Sequence, residues 1–275
     1  MNDLSQPKHF MPLIKLEAGE NAFSRVDLMT LVFTSMLLSA WLVVTHVGVI
    51  GRQVRCAANL SALGKAMHEY TNEHDDGLPP ASINWRGKQT SWDLKLLPYL
   101  MPGLAKANSG ALFADAPRWI VCPSDISGNA TQGHTPRSYA MPVNDMAANH
   151  WPPSPDIATG VGLDWDDGNV VPLAGPEATP DNLPAVKLSV VTDPMHTGLL
   201  TELIDPINCM GNYQAAAVWN PLQQELFFNV RSNFTYCHRG EFNYIMVDGH
   251  VERLSALQTG SLASGAGIWS IRKGD

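Results

Sequence analysis

The sequence predicts an α+β protein in which a long N-terminal helix, part membrane-spanning and part amphipathic, packs on an antiparallel β-sheet head with long irregular loops. Three observations predict it. Residues 28–50 are predominantly apolar and contain no Asp, Glu, Lys or Arg. An amphipathic stretch of helical period, 52–74, follows with no intervening proline. Beyond Pro79-Pro80 the chain changes to short strand-like runs separated by Pro, Gly, Asn and Asp.

The first element is the helix. Leu28 to Ile50 spans 23 residues, roughly 34 Å at the helical rise, enough to cross a hydrocarbon core of about 30 Å. It is longer than the apolar core of a secretory signal, and no small-x-small cleavage site follows it. Thr45 and His46 fall near its far end, where an interface solvates them. Cys56, Leu60, Leu63, Met67 and Tyr70 then recur at spacings of four, three, four and three, one helical face. Arg52, Arg55, Ser61, Lys65 and Glu69 lie largely off that face. Asn72 to Gly77 and the two prolines end the helix. The expected division is therefore a leader-like segment at 1–22, a helix at 23–76 and a head at 77–275.

Within the head, Ser91 is expected to cap a short helix through Leu97, ended by Pro98. Residues 141–184 are rich in Pro, Asp, Asn and Gly with little periodicity, and are expected as an irregular surface insertion. Strand-like runs follow at Leu188–Val191, Gly198–Leu203, Glu225–Val230, Phe242–Val247 and His250–Leu254. The last two flank Asp248-Gly249, a two-residue hairpin signal. Six strand residues cover about 20 Å, so His238 starts far from Asp248 and is expected to anchor a loop rather than form a dyad with it. Glu202 closes an apolar run and is expected to accept hydrogen bonds inside the head. Trp85, Trp151 and Trp165 are expected to pack internally rather than stack on a ligand.

The net charge of -8 and pI near 5.5 exclude a nucleic-acid binder, which needs a basic face. Charged residues make up 16% of the chain, alongside 20 Pro and 22 Gly, which suits a loop-rich head outside the cytoplasm. Positive charge is balanced across the apolar segment, with Lys8, Lys15 and Arg25 before it and Arg52, Arg55 and Lys65 after it. The cysteines break the tie. Cys56, Cys122, Cys209 and Cys237 form no Cys-x-x-Cys pair and are read as disulfide candidates in an oxidising compartment. Three connectivities are open; the closeness of 209 and 237 in sequence favours 209–237, and with it 56–122. No cofactor or resident metal is expected. Asp164 and Asp166 begin a calcium-loop-like run, but Gly175 occupies the place of its closing glutamate, so a solvated acidic loop is expected there.

One set of residues carries a resemblance. Phe23-Ser24-Arg25-Val26-Asp27-Leu28 at the head of the long apolar helix is similar to the processing signature of type IV pilin-like proteins, including type II secretion pseudopilins. Arg55-Cys56-Ala57-Ala58-Asn59-Leu60, Leu97-Pro98-Tyr99-Leu100, Cys122-Pro123-Ser124-Asp125, Ser138-Tyr139, Lys187-Leu188-Ser189, Asp193-Pro194 and Leu199-Leu200-Thr201-Glu202 resemble, in order, landmarks of a subgroup found in planctomycete- and verrucomicrobia-like bacteria. So does its C-terminal signature, His238, nine residues, then Asp248-Gly249. Ala22 stands where that family has Gly, Arg25 where it has an apolar residue, and the preceding Glu17 to Asn21 is acidic rather than basic.

The resemblance implies cleavage before Phe23 by a prepilin peptidase. It also implies a carboxylate at Asp27 that neutralises the new α-amine and sets register between subunits. The implied function is structural: a subunit of an envelope filament or type II secretion-like system, single-pass in the bacterial inner membrane, with its head in the periplasm or at the cell surface. Its expected partners are membrane lipid and copies of itself or other pilin-like subunits. The alternative is a non-polymerising, membrane-anchored protein whose head binds a polysaccharide or protein. No G-x-S-x-G, H-E-x-x-H, phosphate-loop or dinucleotide motif occurs, so no enzymatic activity is expected.

Overall fold

The computed structural model describes residues 24–102, 118–125, 135–143, 160–166, 174–205, 207–213, 216–218, 238, 241–260 and 267–271. The chain forms two compact units, Met1–Val47 and Gly48–Asp275. A single helix, α1 (Arg25–Glu73), runs through 49 residues of both.

At its start, Ser24 and Asp27 form a reciprocal cap. The Asp27 amide donates to Ser24 Oγ at 3.1 Å, and the Ser24 amide donates to Asp27 Oδ2 at 3.0 Å, satisfying two donors that a helix end leaves open. In the first unit every residue from Ser24 to Val47 is exposed. All five hydroxyls between residues 28 and 50 donate to carbonyls of the preceding turn: Thr30 to Val26, Thr34 to Thr30, Ser35 to Val32, Ser39 to Ser35 and Thr45 to Leu42, at 2.8–2.9 Å. Lipid offers no partner to a hydroxyl, so turning each one onto its own helix leaves an apolar exterior. Among the described residues, α1 is the helix long and apolar enough to span a membrane.

In the second unit α1 buries Cys56, Leu60, Leu63, Gly64, Ala66, Met67, Tyr70 and Thr71, the face that the spacing predicts. Asp75 and Asp76, both at positive φ, turn the chain after Glu73, and the Asp76 amide donates to Thr71 O at 3.0 Å. Asp tolerates this left-handed conformation better than most residues.

The buried face of α1 meets a five-stranded sheet of order β6-β3-β5-β7-β8. Its strands are β3 (Tyr139–Pro142), β5 (Gly198–Glu202), β6 (Ala217–Val218), β7 (Phe242–Met246) and β8 (Val251–Leu254). Pairing is antiparallel except between β3 and β6 at one edge. Both faces are covered. Ile245 and Leu200 share a core cluster with the α1 stripe, while Phe242, Tyr244 and Met246, alternating with Ile245 along β7, pack with Ala140, Leu203 and Trp269. At Gly64 the helix comes close enough to β7 that an added Cβ would lie 2.1 Å from Ile245 Cδ1.

A second, three-stranded sheet orders β2-β1-β4, from β1 (Ser82–Trp85), β2 (Lys88–Ser91) and β4 (Asp164–Asp166). Within 141–184, Asp164–Asp166 form a strand, because Leu163 and Trp165 have a core of their own to fill with Ile83 and Trp85, while residues 175–184 are turns and irregular chain. Trp151 and residues 225–230 lie outside the described residues.

Three local expectations differ from the structure. Leu188–Val190 is a 3-10 turn rather than a strand. The end of α1 overrides its β propensity, since the Leu188 amide donates to Asp76 O and the Ser189 amide to Asp76 Oδ2. The hairpin loop has three residues, Val247 to Gly249. Met246 and His250 close it, the Gly249 amide donates to Met246 O at 2.9 Å, and Gly249 takes φ +92°. This is a tight turn plus a left-handed glycine, the usual three-residue solution. Helix α2 (Trp92–Leu100) continues past Pro98, anchored by buried Trp92, Leu96 and Leu97. Ser91 occupies its cap position, but the Ser91 hydroxyl turns to the Asp93 carboxylate instead of a backbone amide.

Candidate functional site

Four side chains from four separate segments converge under the buried face of α1: Cys56 from the helix, Cys122 from the loop after Ile120, Glu202 from the end of β5, and His238. All are buried, and their ligating atoms lie within 4.8 Å of one another. Cys56 and Cys122 form a disulfide, as expected. Cys209 is instead a buried thiol, donating to Ile207 O at 3.3 Å. The other half of the expected 209–237 bridge, Cys237, lies outside the described residues.

His238 Nε2 donates to Glu202 Oε1 at 2.9 Å and sits 3.3 Å from Cys122 Sγ. Its Nδ1 is buried without a hydrogen-bond partner among the described residues. His238 takes φ +46°, a conformation that few non-glycine residues adopt. Glu202 is fixed from the other side by Asn243 of β7: the backbone amide donates to Oε2 at 2.8 Å and Nδ2 donates to Oε1 at 3.1 Å. Such bonds hold a carboxylate in one orientation inside the protein. Next to it, burial raises the Tyr139 phenol well above its ordinary pKa, and the charge of Glu202 adds to that shift.

The loop carrying Cys122 is tied down by its own residues. The Cys122 amide donates to Ser138 Oγ at 2.9 Å, and Ser138 Oγ donates to Asp125 Oδ2 at 2.6 Å. The Asp125 amide closes the turn on Cys122 O at 2.8 Å. Asn59 Nδ2 reaches Val121 O at 3.2 Å. Segments that look unrelated along the chain, Cys56 to Asn59, Cys122 to Asp125, Ser138-Tyr139, Glu202 and His238, therefore meet at one place.

The remaining candidates lie elsewhere. Asp248 accepts from the His250 amide and from His250 Nδ1 at 2.6 Å, within the hairpin turn, while His238 bonds Glu202. Asp164 and Asp166 lie on β4, where Asp164 accepts from the Ser82 hydroxyl; residues 167–173 of the candidate calcium loop lie outside the described residues. Asp27 caps its own helix with Ser24. Ala22 and Phe23 lie outside the described residues.

Sequence reasoning missed Asn243, whose only signal is a polar residue in an apolar strand. It also missed a buried cation. Arg137 Nη1 donates to Asp93 Oδ1 at 2.5 Å and to Ser91 Oγ at 2.9 Å, Nε donates to Asn208 Oδ1 at 2.6 Å, and Nη2 donates to Asn212 O at 3.1 Å. Its guanidinium lies 5.6 Å from the centre of the Trp92 ring. Asp93 Oδ2 accepts the Gly211 amide at 2.9 Å. This buried pair clamps β2 and α2 to the loop after β5. Comparison with protein-family models, with curated proteins and with solved structures returned no match.

Proposed function

We propose that the chain is a pilin-like structural subunit of a bacterial envelope filament or type II secretion-like system. It would be anchored in the inner membrane by the first half of α1, with the sheet domain outside the cytoplasm. The observation that carries this reading is α1 itself: 49 uninterrupted residues, exposed and apolar in the first half and seated along one face against the sheet in the second. A helix of that construction supports two roles at once, since its apolar part can be surrounded by lipid or by like helices while its amphipathic part completes the head. The disulfide suits an oxidising compartment.

The test has two arms. Mass spectrometry of the protein from its native membrane should find a mature N-terminus at Phe23. In a strain carrying Asp27→Ala, the protein should remain in the membrane but be missing from sheared filaments. Asp27 also caps α1, so Ser24→Ala serves as the control: it breaks the cap, at about 0.5–2 kcal/mol, yet leaves the carboxylate and should still assemble. A chain that retains its first residues and never enters a filament would instead support the membrane-anchored binding protein.

A further inference from the structure

The four-residue cluster is more than a bridge with polar neighbours. We propose that Cys56, Cys122, His238 and Glu202 form a buried tetrahedral site for a thiophilic divalent cation of the zinc class. Disulfide and metal would be mutually exclusive occupants of the same two sulfurs. The inference is independent of filament assembly and applies equally to a solitary anchor.

The donor set fits. Two thiolates, one imidazole nitrogen and one carboxylate oxygen make a four-coordinate zinc sphere. In such a sphere neighbouring donors lie about 3.4–3.8 Å apart, from the usual zinc–ligand distances and tetrahedral angles. Here His238 Nε2 is 3.3 Å from Cys122 Sγ and 2.9 Å from Glu202 Oε1, and every pair among the four falls within 4.8 Å. The donors are gathered in one place; once the bridge is reduced and the two sulfurs separate, outward movement of the donors would admit the ion.

The surroundings fit as well. Asn243 holds Glu202 through both oxygens, its backbone amide donating to Oε2 and its Nδ2 to Oε1. An outer hydrogen bond of this kind orients a ligating carboxylate. For Nε2 to bind a metal, its proton must move to Nδ1, and among the described residues Nδ1 has no hydrogen-bond partner to displace. Metal binding would therefore replace the Nε2–Glu202 hydrogen bond with two coordinate bonds. Spacing rules could not reveal this set, because its members come from four distant segments.

The chemistry balances. A chain that folds before oxidation carries both cysteines as thiols, and a divalent cation binds them with release of two protons. Starting from the oxidised protein, a phosphine reductant and one water open the bridge to two thiols and the phosphine oxide. The cation then displaces the two thiol protons. Oxidation of the metal-free dithiol by a disulfide of the compartment returns the bridge and leaves that oxidant as two thiols.

Full-length protein in detergent, reduced with a water-soluble phosphine, is titrated with cobalt(II) under argon and then with zinc. The expected result is one equivalent of cobalt with the intense visible bands of a tetrahedral ion and a sulfur-to-cobalt charge-transfer band, both displaced by zinc. The oxidised protein should give neither. The Cys56→Ala/Cys122→Ala variant, which keeps Cys209 and Cys237, should also give neither. His238→Ala and Glu202→Gln should each weaken cobalt binding by roughly 100-fold or more, at or beyond the largest losses seen for outer-shell partners, with circular dichroism confirming the fold. The proposal is overturned if reduced wild-type protein binds no more cobalt than the double cysteine variant. It also fails if the spectrum lacks the thiolate band, or if folded His238→Ala and Glu202→Gln both bind as tightly as wild type.

Discussion

Asp164 shows how one half-buried acid ties the head to pH. Burial raises its pKa above the ordinary 3.8; the Ser82 hydroxyl opposes the shift and the like charge of Asp166 adds to it. The folded state therefore binds the proton more tightly than the unfolded chain does. That contribution to stability is full below 3.8 and disappears as pH rises through the folded value. Asp164→Asn is uncharged throughout and still accepts from Ser82. Thermal midpoints of variant and wild type should therefore lie close together at the acid end and separate as pH rises, with the variant higher. A gap that closes with rising pH would show the sign to be wrong. Arg137 is the opposite case, a buried charge with four of its five N–H donors bonded. Arg137→Ala would strand the Asp93 carboxylate at 0% exposure and should cost about 3–5 kcal/mol in denaturant unfolding. Replacing both residues with apolar ones of similar volume should cost much less. Neither role was legible beforehand, because a charge next to a strand reads as solvated until the fold shows what lies over it.

At the scale of the element, α1 was the most legible part of the chain. Its apolar run, its spacing of four, three, four and three, and its stop at Asn72 to Gly77 are local signals that tertiary structure had no reason to override. The Leu188 turn was illegible for the opposite reason: its conformation is set by Asp76, more than a hundred residues earlier. Gly64 shows what spacing alone leaves out. It lies on the buried face, where its lack of a side chain lets α1 approach β7. Gly64→Ala gains about 1 kcal/mol of helix propensity but forces a methyl onto Ile245 Cδ1, an overpacking cost of about 1–3 kcal/mol. The variant should be less stable than wild type. Adding Ile245→Val, which removes the offending methyl, should recover part of the loss, although that substitution alone destabilises by about 0.5–1.5 kcal/mol. Equilibrium unfolding of the single and double variants tests the coupling; simple additivity would show that the contact is relieved elsewhere.

For the whole molecule, the fold class was readable because it needed only one helix and several strands. The candidate site was readable in parts: Cys56 and Cys122 were expected to pair, and Glu202 and His238 stood out along the chain, but nothing in their spacing placed all four together. The position of the bridge also determines how the head would bear load. Cys56 is the first fully buried residue that α1 contributes to the head. If the helix is pulled along its axis, tension crosses at Cys56 into the loop that leads to β3. The 66 residues of separation between the joined cysteines, roughly 230 Å of contour when extended, are bypassed. The stripe from Leu60 to Tyr70 would then be spared the peeling that a terminal helix ordinarily suffers. Opening the bridge would return that slack to the chain and change a rigid coupling into a compliant one.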